Sequence, residues 1–471
     1  MAALDARERA SGGRQSQFKA THSREAEAAR LHAALSSQQS DTRANRLDQM
    51  RRIAMDSLLG STANDGQEEV EVQDEEDDDP ADAADMDMDG GYARGKRMQR
   101  LRRLHRTLFF ARQMQIPDWM LVPPGDLAER WLVLAKPEGD RCLLLSDGGR
   151  VQVRQKNGLI LEKFTDSRFP RGLTILDAVC IEGPRSQKPV KNQMQDDSGL
   201  GQAMEQPSVE EPTSPIDDAL QSEGDDTMDG GAQGGKSSGK ARRRRPTGNR
   251  KYAICDVLVW GDMDMACTEA EFRLFWLQSR FEEMPEKPPR RARPLQLVHA
   301  LPATPECIRD LYSKDFGYPK DSLMFLHREG RYQISEAVTP VAKLWRDRHL
   351  SRFVVDTPDE KGQDLPSKQS VVLEVRGGGR LRTADRHLVA QCREEDLEKL
   401  QGQAKNKSLV RCDIEAIDVV NRCLQVVPVA HVPARSRVWP DSWARIVFQH
   451  LHRSGQSSYI SFEALMQAAS G

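Results

Sequence analysis

Alternating apolar and polar positions in the middle of the chain predict short β-strands that form an antiparallel meander. The segments Trp131–Ala135, Arg141–Ser146 and Arg150–Arg154 are apolar or alternating, and glycine-rich turns separate them. Two further runs, Leu173–Ile181 and Tyr252–Trp260, are rich in β-branched residues and predict longer strands. Weaker strand patterns follow at 295–301, 323–327, 370–376 and 409–428.

Helical spacing of apolar residues occurs between and after these strands. Thr268-Glu-Ala-Glu271 has the pattern of a capping box, and Phe272, Phe275 and Trp276 follow at helical intervals. Thr304 and Pro305 predict the start of a second helix. A third helix is expected near 441–452, with Trp443, Ile446, Val447 and Leu451 on its apolar face. Together these patterns predict an α+β fold of packed antiparallel sheets with flanking helices.

Composition divides the chain into four regions. Residues 1–60 are predicted to be helical, 61–106 to be a disordered acidic and then basic linker, 107–356 to be a compact domain, and 357–471 to be an α+β extension. The stretch 183–250 interrupts the compact domain with Gly, Ser, Asp and Gln, so it is predicted to be a disordered insertion.

The N-terminal region carries a helix pattern with few apolar positions. Asp41 can cap a helix whose apolar residues are Leu47, Met50, Ile53 and Met55. So narrow a stripe predicts a helix that is marginal alone and forms fully only on a partner. The alternative is an ordinary charged helix with a solvated face.

Charge is strongly segregated although the formal net charge is only −3. Glu68–Asp89 holds thirteen carboxylates and no basic residue, and Arg94–Arg112 holds eight basic residues and no acid. Such blocks are typical of solvated tails or docking surfaces. Arg242–Arg245 could be a nuclear localisation signal, an RNA-phosphate contact or a solubilising end of the insertion.

Cysteine usage and hydropathy indicate a protein of a reducing compartment. The eight cysteines are scattered without a Cys-x-x-Cys pair, which argues against a zinc ribbon and a disulfide framework. We find no metal-ligand spacing among the ten histidines and expect no metal and no cofactor. No apolar run is long enough for a membrane span, so no membrane association is expected.

Signatures of common enzymes are absent from the segments with strand and helix patterns, so we expect no catalytic residue. There is no GxGxxG or HExxH motif, and the strings that fit GxxxxGK[ST] (230–237) and GxSxG (235–239) lie in the Gly- and Ser-rich insertion, without the strand and helix patterns that these motifs need. Covalent nucleotidyl transfer through a lysine needs a Lys-x-Asp-Gly turn, in which the amine attacks the α-phosphate. In Lys314-Asp315-Phe316-Gly317 the aspartate comes one position too early.

Two of the seven tryptophans lie where they could border a ligand. Trp119 precedes the first predicted strand and is either a pocket wall or a hydrophobic plug. Trp345 stands in a basic, irregular segment and is either a stacking platform for a base or a core anchor. Trp131, Trp260 and Trp276 lie inside regular elements and are expected in the core.

Several ordered pieces of the compact domain together resemble the snurportin family of nuclear import adaptors. The pieces are 117–124, 126–131, 137–141, 174–177, 252–260, 271–276, 304–306, Asp315-Phe316, 323–327 and Thr339-Pro340. The resemblance covers roughly 116–345 around the insertion, and the segment that leads to Trp345 is one residue longer here. It implies a domain that is similar to the nucleotide-binding domain of mRNA guanylyltransferases but lacks the catalytic lysine.

This resemblance implies a function in carrying ribonucleoproteins between cytoplasm and nucleus. The ligand would be the 2,2,7-trimethylguanosine cap of spliceosomal small nuclear RNA, and the partners would be importin-β and an exportin-type export receptor. Residues implied for the cap are Trp119, Trp345, Ile116, Pro117, Lys136, Gly139, Asp140, Arg141 and Lys156. Residues implied for an importin-β-binding helix are Arg14, Phe18, Lys19, Arg24, Arg30, Arg43, Arg46, Arg51 and Arg52. The alternatives are a capping-type nucleotidyltransferase and a general RNA-binding scaffold that uses Arg242–Arg245.

Overall fold

The computed structural model describes most of the predicted helices and strands. The described residues are 24–39, 42–59, 90–111, 113–182, 250–285, 289–290, 292–334, 338–351, 368–392, 408–432, 438–455 and 460–471. The predictions for Arg14, Phe18, Lys19, the acidic run up to 89, and the insertion including Arg242–Arg245 lie outside these residues.

Eight helices and seventeen strands occur in the described part of the chain. The helices are α1 Arg24–Ser36, α2 Thr42–Leu59, α3 Gly90–Phe110, α4 Leu127–Arg130, α5 Ala270–Glu282, α6 Pro305–Ser313, α7 Trp443–Arg453 and α8 Phe462–Ala469. The strands are β1 Pro117–Trp119, β2 Trp131–Pro137, β3 Asp140–Asp147, β4 Arg150–Gln155, β5 Ile160–Thr165, β6 Leu173–Glu182, β7 Arg250–Trp260, β8 Met263–Asp264, β9 Leu295–Leu297, β10 Leu301–Pro302, β11 Lys320–His327, β12 Thr339–Trp345, β13 Gln369–Arg376, β14 Arg380–Arg382, β15 Leu388–Gln391, β16 Leu409–Asp418 and β17 Cys423–Val432.

Two sheets pack face to face and form the centre of the domain. The first sheet has the order β1-β12-β11-β2-β10, and the second has the order β5-β4-β3-β6-β7-β8 with β9 beside β7. Apart from the parallel pairs β1–β12 and β7–β9, the neighbouring strands of these two sheets are antiparallel. Leu132 and Met324 of the first sheet share a buried cluster with Val179 and Ala253 of the second. The α+β prediction with several antiparallel sheets is therefore confirmed.

The C-terminal residues build a third, smaller sheet with the order β15-β14-β13-β16-β17. Its edge strands β15 and β17 lie next to each other, so the five strands curl toward a closed barrel. Helix α7 packs Trp443, Ile446 and Phe448 into the core of this barrel, because its apolar residues recur on one helical face. The strand pattern predicted at 409–428 forms a hairpin of the two strands β16 and β17.

The N-terminal helix α2 packs on the chain's own second sheet. Leu47, Met50, Ala54 and Leu58 are buried in one cluster with residues of β3 and β6. Its Ser57 also donates a hydrogen bond of 2.7 Å to Gln152 of β4. The helix does form on a partner surface, but that surface belongs to the same polypeptide.

Two helix predictions need correction. Residues 90–106 belong to α3, so this part of the predicted disordered linker is helical.

Helix α5 starts after Glu269 without a side-chain cap, and the hydroxyl of Thr268 donates to Met265 O instead of capping. Phe272 and Phe275 are exposed, because α5 turns another face inward to bury Arg273 against Asp256. None of the described helices is long and apolar enough to cross a membrane.

Candidate binding site

A cavity of about 590 Å³ lies where the first sheet, the turn between β2 and β3, and the segment before α7 meet. Its lining comprises Ile116, Pro117, Trp119, Lys136, Gly139, Asp140, Arg141, Gln155, Lys156, Asn157, Val338, Leu344, Arg346, Ala384, Val438, Trp439, Pro440, Asp441, Ser442 and Arg445. Its size suits a nucleotide. The structure thus gathers eight of the nine residues implied for the cap at one place.

Trp119 reaches the cavity from β1, which pairs with β12. The half-buried indole packs against Phe448 of α7, with ring centroids 4.7 Å apart. The guanidinium of Arg346 lies 4.6 Å from the indole centroid, so a cation–π contact covers the ring. Trp119 can therefore border a ligand, but its face is occupied in this structure.

Trp345 does not line the cavity, which corrects its prediction as a stacking residue. Successive residues of a strand point to opposite faces, so Leu344 lines the cavity and Trp345 points into the core. Only 1% of Trp345 is exposed, and its Nε1–H donates a 2.8 Å hydrogen bond to Ile460 O. The core-anchor alternative for this tryptophan is correct.

Five cationic side chains and two carboxylates line the cavity, which gives it an excess of positive charge. Lys136 and Arg346 both bind Asp321, with N–O distances of 2.8 and 3.0 Å. Burial opposes ionisation of Asp321, but these two cations outweigh burial and hold its pKa below the usual range. Both cations are thereby held at the wall that a phosphate chain would meet.

Arg141 is fixed by a buried network behind the cavity. Its guanidinium forms a bidentate pair with Asp177 and also donates to Gln115 O. The hydroxyl of Tyr332 donates a 2.7 Å hydrogen bond to the same Asp177 carboxylate. Burial disfavours the charged guanidinium, yet Asp177 outweighs burial and raises the pKa of Arg141. The network holds Arg141 in its charged form.

Gly139 allows the chain to turn tightly between β2 and β3. Its φ is +152°, and a Cβ at this position would lie 2.3 Å from Cys180 O of the neighbouring strand. A side chain cannot fit there, so glycine keeps the turn close to β6. The turn carries Lys136 on one side and Arg141 on the other into the cavity.

Lys156 is an exposed residue in the turn after β4. Crowding of its ammonium group by protein atoms, together with repulsion by Arg141, Arg445 and Lys136, lowers its pKa to about 8. A bound anion favours the charged form, so binding of a polyphosphate should be coupled to proton uptake above pH 8.

We expect the affinity for GTP to fall by up to about tenfold more between pH 7 and pH 9 in the wild type than in Lys156→Met, since the charged fraction of a lysine with a pKa of about 8 falls by that factor. Below pH 8 the lysine is charged before the ligand arrives, and above pH 8 it must first be protonated. Isothermal titration calorimetry at several pH values measures the difference. Lys163→Met, an exposed lysine of β5, should keep the wild-type slope. Equal slopes for the wild type and Lys156→Met would exclude Lys156 as a phosphate contact.

The residues implied for importin-β are in part engaged within the chain. Arg30 pairs with Asp118 at 3.2 Å, and Arg46 and Arg51 donate to Ile334 O and Asp262 O. Arg24 and Arg52 are exposed, whereas the side chain of Arg43 lies outside the described part of the structure. These side chains do not converge on the cavity.

Three features of the cavity escaped the reasoning from sequence. Trp439 and Arg445 come from the C-terminal extension, for which no binding role was predicted. The third feature is Lys136-Pro137-Glu138-Gly139, which differs from a Lys-x-Asp-Gly turn only by glutamate in place of aspartate. A search that allowed either acid would have found it.

A family model and several solved structures are similar to parts of this chain. Residues 242–345 match the model of the snurportin 1 m3G cap-binding domain, so this segment is snurportin-like. The ligase domain of LigD from M. tuberculosis is 12% identical, with 69% of this chain and 96% of that chain covered and a TM-score of 0.29. A mycobacterial DNA ligase D complexed with ATP and MES is 13% identical, with coverages of 70% and 99% and a TM-score of 0.28.

Proposed function

We propose that this protein binds the 2,2,7-trimethylguanosine cap of small nuclear RNA and does so without chemical turnover. One observation carries the proposal: the residues implied for the cap, other than Trp345, line one cavity of nucleotide size. The match of residues 242–345 to a snurportin cap-binding model supports the same ligand class.

The two sides of the cavity suit the two parts of the ligand. Methylation at N7 makes the guanine cationic, and an aromatic wall then adds about 0.5–2 kcal/mol of cation–π energy. Apolar Ile116, Pro117, Trp119 and Leu344 are available for the methylated edge. A monomethyl cap would bury its amine donors there without partners, at a cost of about 1–3 kcal/mol. The lysines and arginines would hold the phosphate bridge.

Gel-shift competition with one short RNA tests this proposal. A trimethyl-capped oligonucleotide should compete at least tenfold better than its monomethyl-capped and uncapped counterparts. Equal competition by all three RNAs would favour the general RNA-binding scaffold instead.

We further propose that the N-terminal segment links the capped particle to importin-β and that the protein shuttles between cytoplasm and nucleus with the help of an exportin-type receptor. Exposed Arg24 and Arg52 support an interaction surface on α1 and α2. Since α2 buries Leu47, Met50 and Ala54 against the second sheet, the carrier must compete with this packing for the helix.

A second candidate function is self-nucleotidylation at Lys136. The specific observation is that Lys136, at the start of Lys136-Pro137-Glu138-Gly139, lines the cavity, and its Nζ lies 2.8 Å from Asp321 Oδ2. Lysine amines act as nucleophiles in covalent catalysis, and nearby cations stabilise the charge of a transferring phosphoryl group. Arg141 and Arg346 line the same cavity and would have that role.

The reaction would proceed with a nucleoside triphosphate and a divalent cation as co-reactants. The ammonium of Lys136 would first lose a proton to solvent, because the Asp321 carboxylate, whose pKa is held low, is a poor proton acceptor. The amine would then attack the α-phosphorus, so that a P–N bond forms while the bond from the α-phosphorus to the bridging oxygen breaks. The nitrogen would give its second proton to the departing pyrophosphate.

Incubation with [α-³²P]GTP or [α-³²P]ATP and Mg²⁺ should then label the chain with an acid-labile, base-stable phosphoramidate. Lys136→Arg keeps the charge beside Asp321 but should abolish the label. Lys314→Arg, in the string Lys314-Asp315-Phe316-Gly317, should retain it. An unlabelled wild type, or a label that persists in Lys136→Arg, would exclude this second function.

A further inference from the structure

The wall of the cavity is completed by residues beyond the segment that matches the snurportin model. Val438–Ser442, which connect β17 to α7, line the cavity together with Arg445 of α7 and Ala384. The C-terminal residues are therefore part of the site rather than a separate appendage.

Trp439 is the aromatic residue best placed to stack on a base. The aromatic residues in the described lining are Trp119 and Trp439. Arg346 covers the indole of Trp119, and Trp345 is buried in the core. Trp439 is half-buried at the cavity wall, as Trp119 is.

Several hydrogen bonds fix the backbone beside Trp439. Asp441 N donates to Val372 O, and Asp441 Oδ2 accepts from Val372 N, both at 2.8 Å. On the other side, Ala384 N donates to Asp441 O and Trp443 N donates to Asp385 Oδ1. The segment is thus attached to β13 and to the turn after β14, so it is preorganised for a ligand.

Arg445, from the C-terminal part, lines the same cavity as the lysines and arginines of the compact domain. It lies in the first turn of α7, pairs with Asp441 and is about one-third exposed, at 36%. Its charge contributes to the lowered pKa of Lys156, after the larger effects of crowding by protein atoms and of Arg141. Cations from both parts of the chain therefore converge on the same space.

We propose that the C-terminal part forms half of the binding site, with Trp439 as the stacking surface for an N7-methylated purine and Arg445 as a contact to its 5′-polyphosphate. This inference rests on the proposed cap-binding function and assigns it to residues that the family match does not cover. It gives the C-terminal extension a role in ligand selectivity.

Calorimetric titration of the full chain with 2,2,7-trimethyl-GTP and with 2,2-dimethyl-GTP, which differ only at N7, tests the stacking residue. Trp439→Ala should weaken binding of 2,2,7-trimethyl-GTP at least tenfold and binding of 2,2-dimethyl-GTP much less, because only the N7-methylated base carries a positive charge. Trp439→Phe should recover most of the affinity for 2,2,7-trimethyl-GTP. Arg445→Met should weaken both nucleotides by a similar factor. Val429→Ala, an exposed position of β17, is the control and should behave as the wild type.

The outcomes separate this inference from the function on which it rests. A wild type that binds neither nucleotide, or binds both equally, would overturn cap recognition and the role of Trp439 together. A wild type that prefers 2,2,7-trimethyl-GTP and keeps that preference in Trp439→Ala would leave cap recognition intact and return stacking to Trp119. Melting temperatures equal to the wild type show that the variants are folded.

Discussion

Replacing Ala54 with glutamate is expected to raise the affinity of the full chain for importin-β by about 10- to 100-fold. Ala54 is completely buried between α2 and the second sheet, and a carboxylate there costs several kcal/mol unless the helix moves away. If the carrier binds only molecules whose α2 is released from the sheet, the apparent affinity is the intrinsic affinity multiplied by the fraction of such molecules. A substitution that releases α2 raises this fraction and therefore raises the apparent affinity.

The matched control is Gln49→Glu, which adds the same charge on the exposed side of α2. Hydrogen exchange of α2 shows directly whether the helix has been released, and surface plasmon resonance with importin-β gives the affinity. Ala54→Glu with a fast-exchanging α2 but unchanged affinity would mean that α2 is a structural part of the domain and not a carrier-binding segment.

Replacing Asp177 with alanine is expected to destabilise the protein by about 3–5 kcal/mol. The substitution leaves the buried guanidinium of Arg141 without its carboxylate and removes the acceptor of the Tyr332 hydroxyl. A buried charge without a partner is costly because the interior cannot replace its hydration. Urea unfolding of the two proteins measures the difference in free energy.

Asp147→Ala provides the comparison for Asp177→Ala. Asp147 pairs at 3.3 Å with Arg150, whose side chain is 42% exposed, so its loss should cost less than about 1 kcal/mol. Similar stabilities of Asp177→Ala and the wild type would show that the Arg141 network does not hold the site together.

The strands that surround the site were predictable because their alternation is strong. Leu143 and Leu145 of β3 face α2, whereas Cys142 and Leu144 face the opposite cluster, as a period of two requires. The same alternation determines that Leu344 faces the cavity and Trp345 faces the core. The sequence did not reveal the strand β12, because it lies in a basic segment with little strand pattern. Without that strand, the orientation of Trp345 could not be deduced from sequence.

Tertiary contacts explain what the sequence could not provide. The wall formed by 438–445 reaches the cavity through packing of α7 on the barrel, and nothing local in Trp439 or Arg445 specifies that contact. Likewise, the buried face of α5 consists of Ala270, Leu274 and Leu277 together with Arg273, which pairs with Asp256 of β7 at 2.6 Å. Helical spacing alone favoured Phe272 and Phe275, which remain exposed.

If the cavity between β1, β12 and α7 selects a trimethylguanosine cap, a calorimetric titration of the wild-type chain with trimethyl-capped and monomethyl-capped dinucleotides will show it. We expect saturable binding of the trimethyl cap at least tenfold tighter than that of the monomethyl cap, since an apolar wall leaves the amine donors unpaired. Equal affinities, or no binding of either dinucleotide, would contradict it.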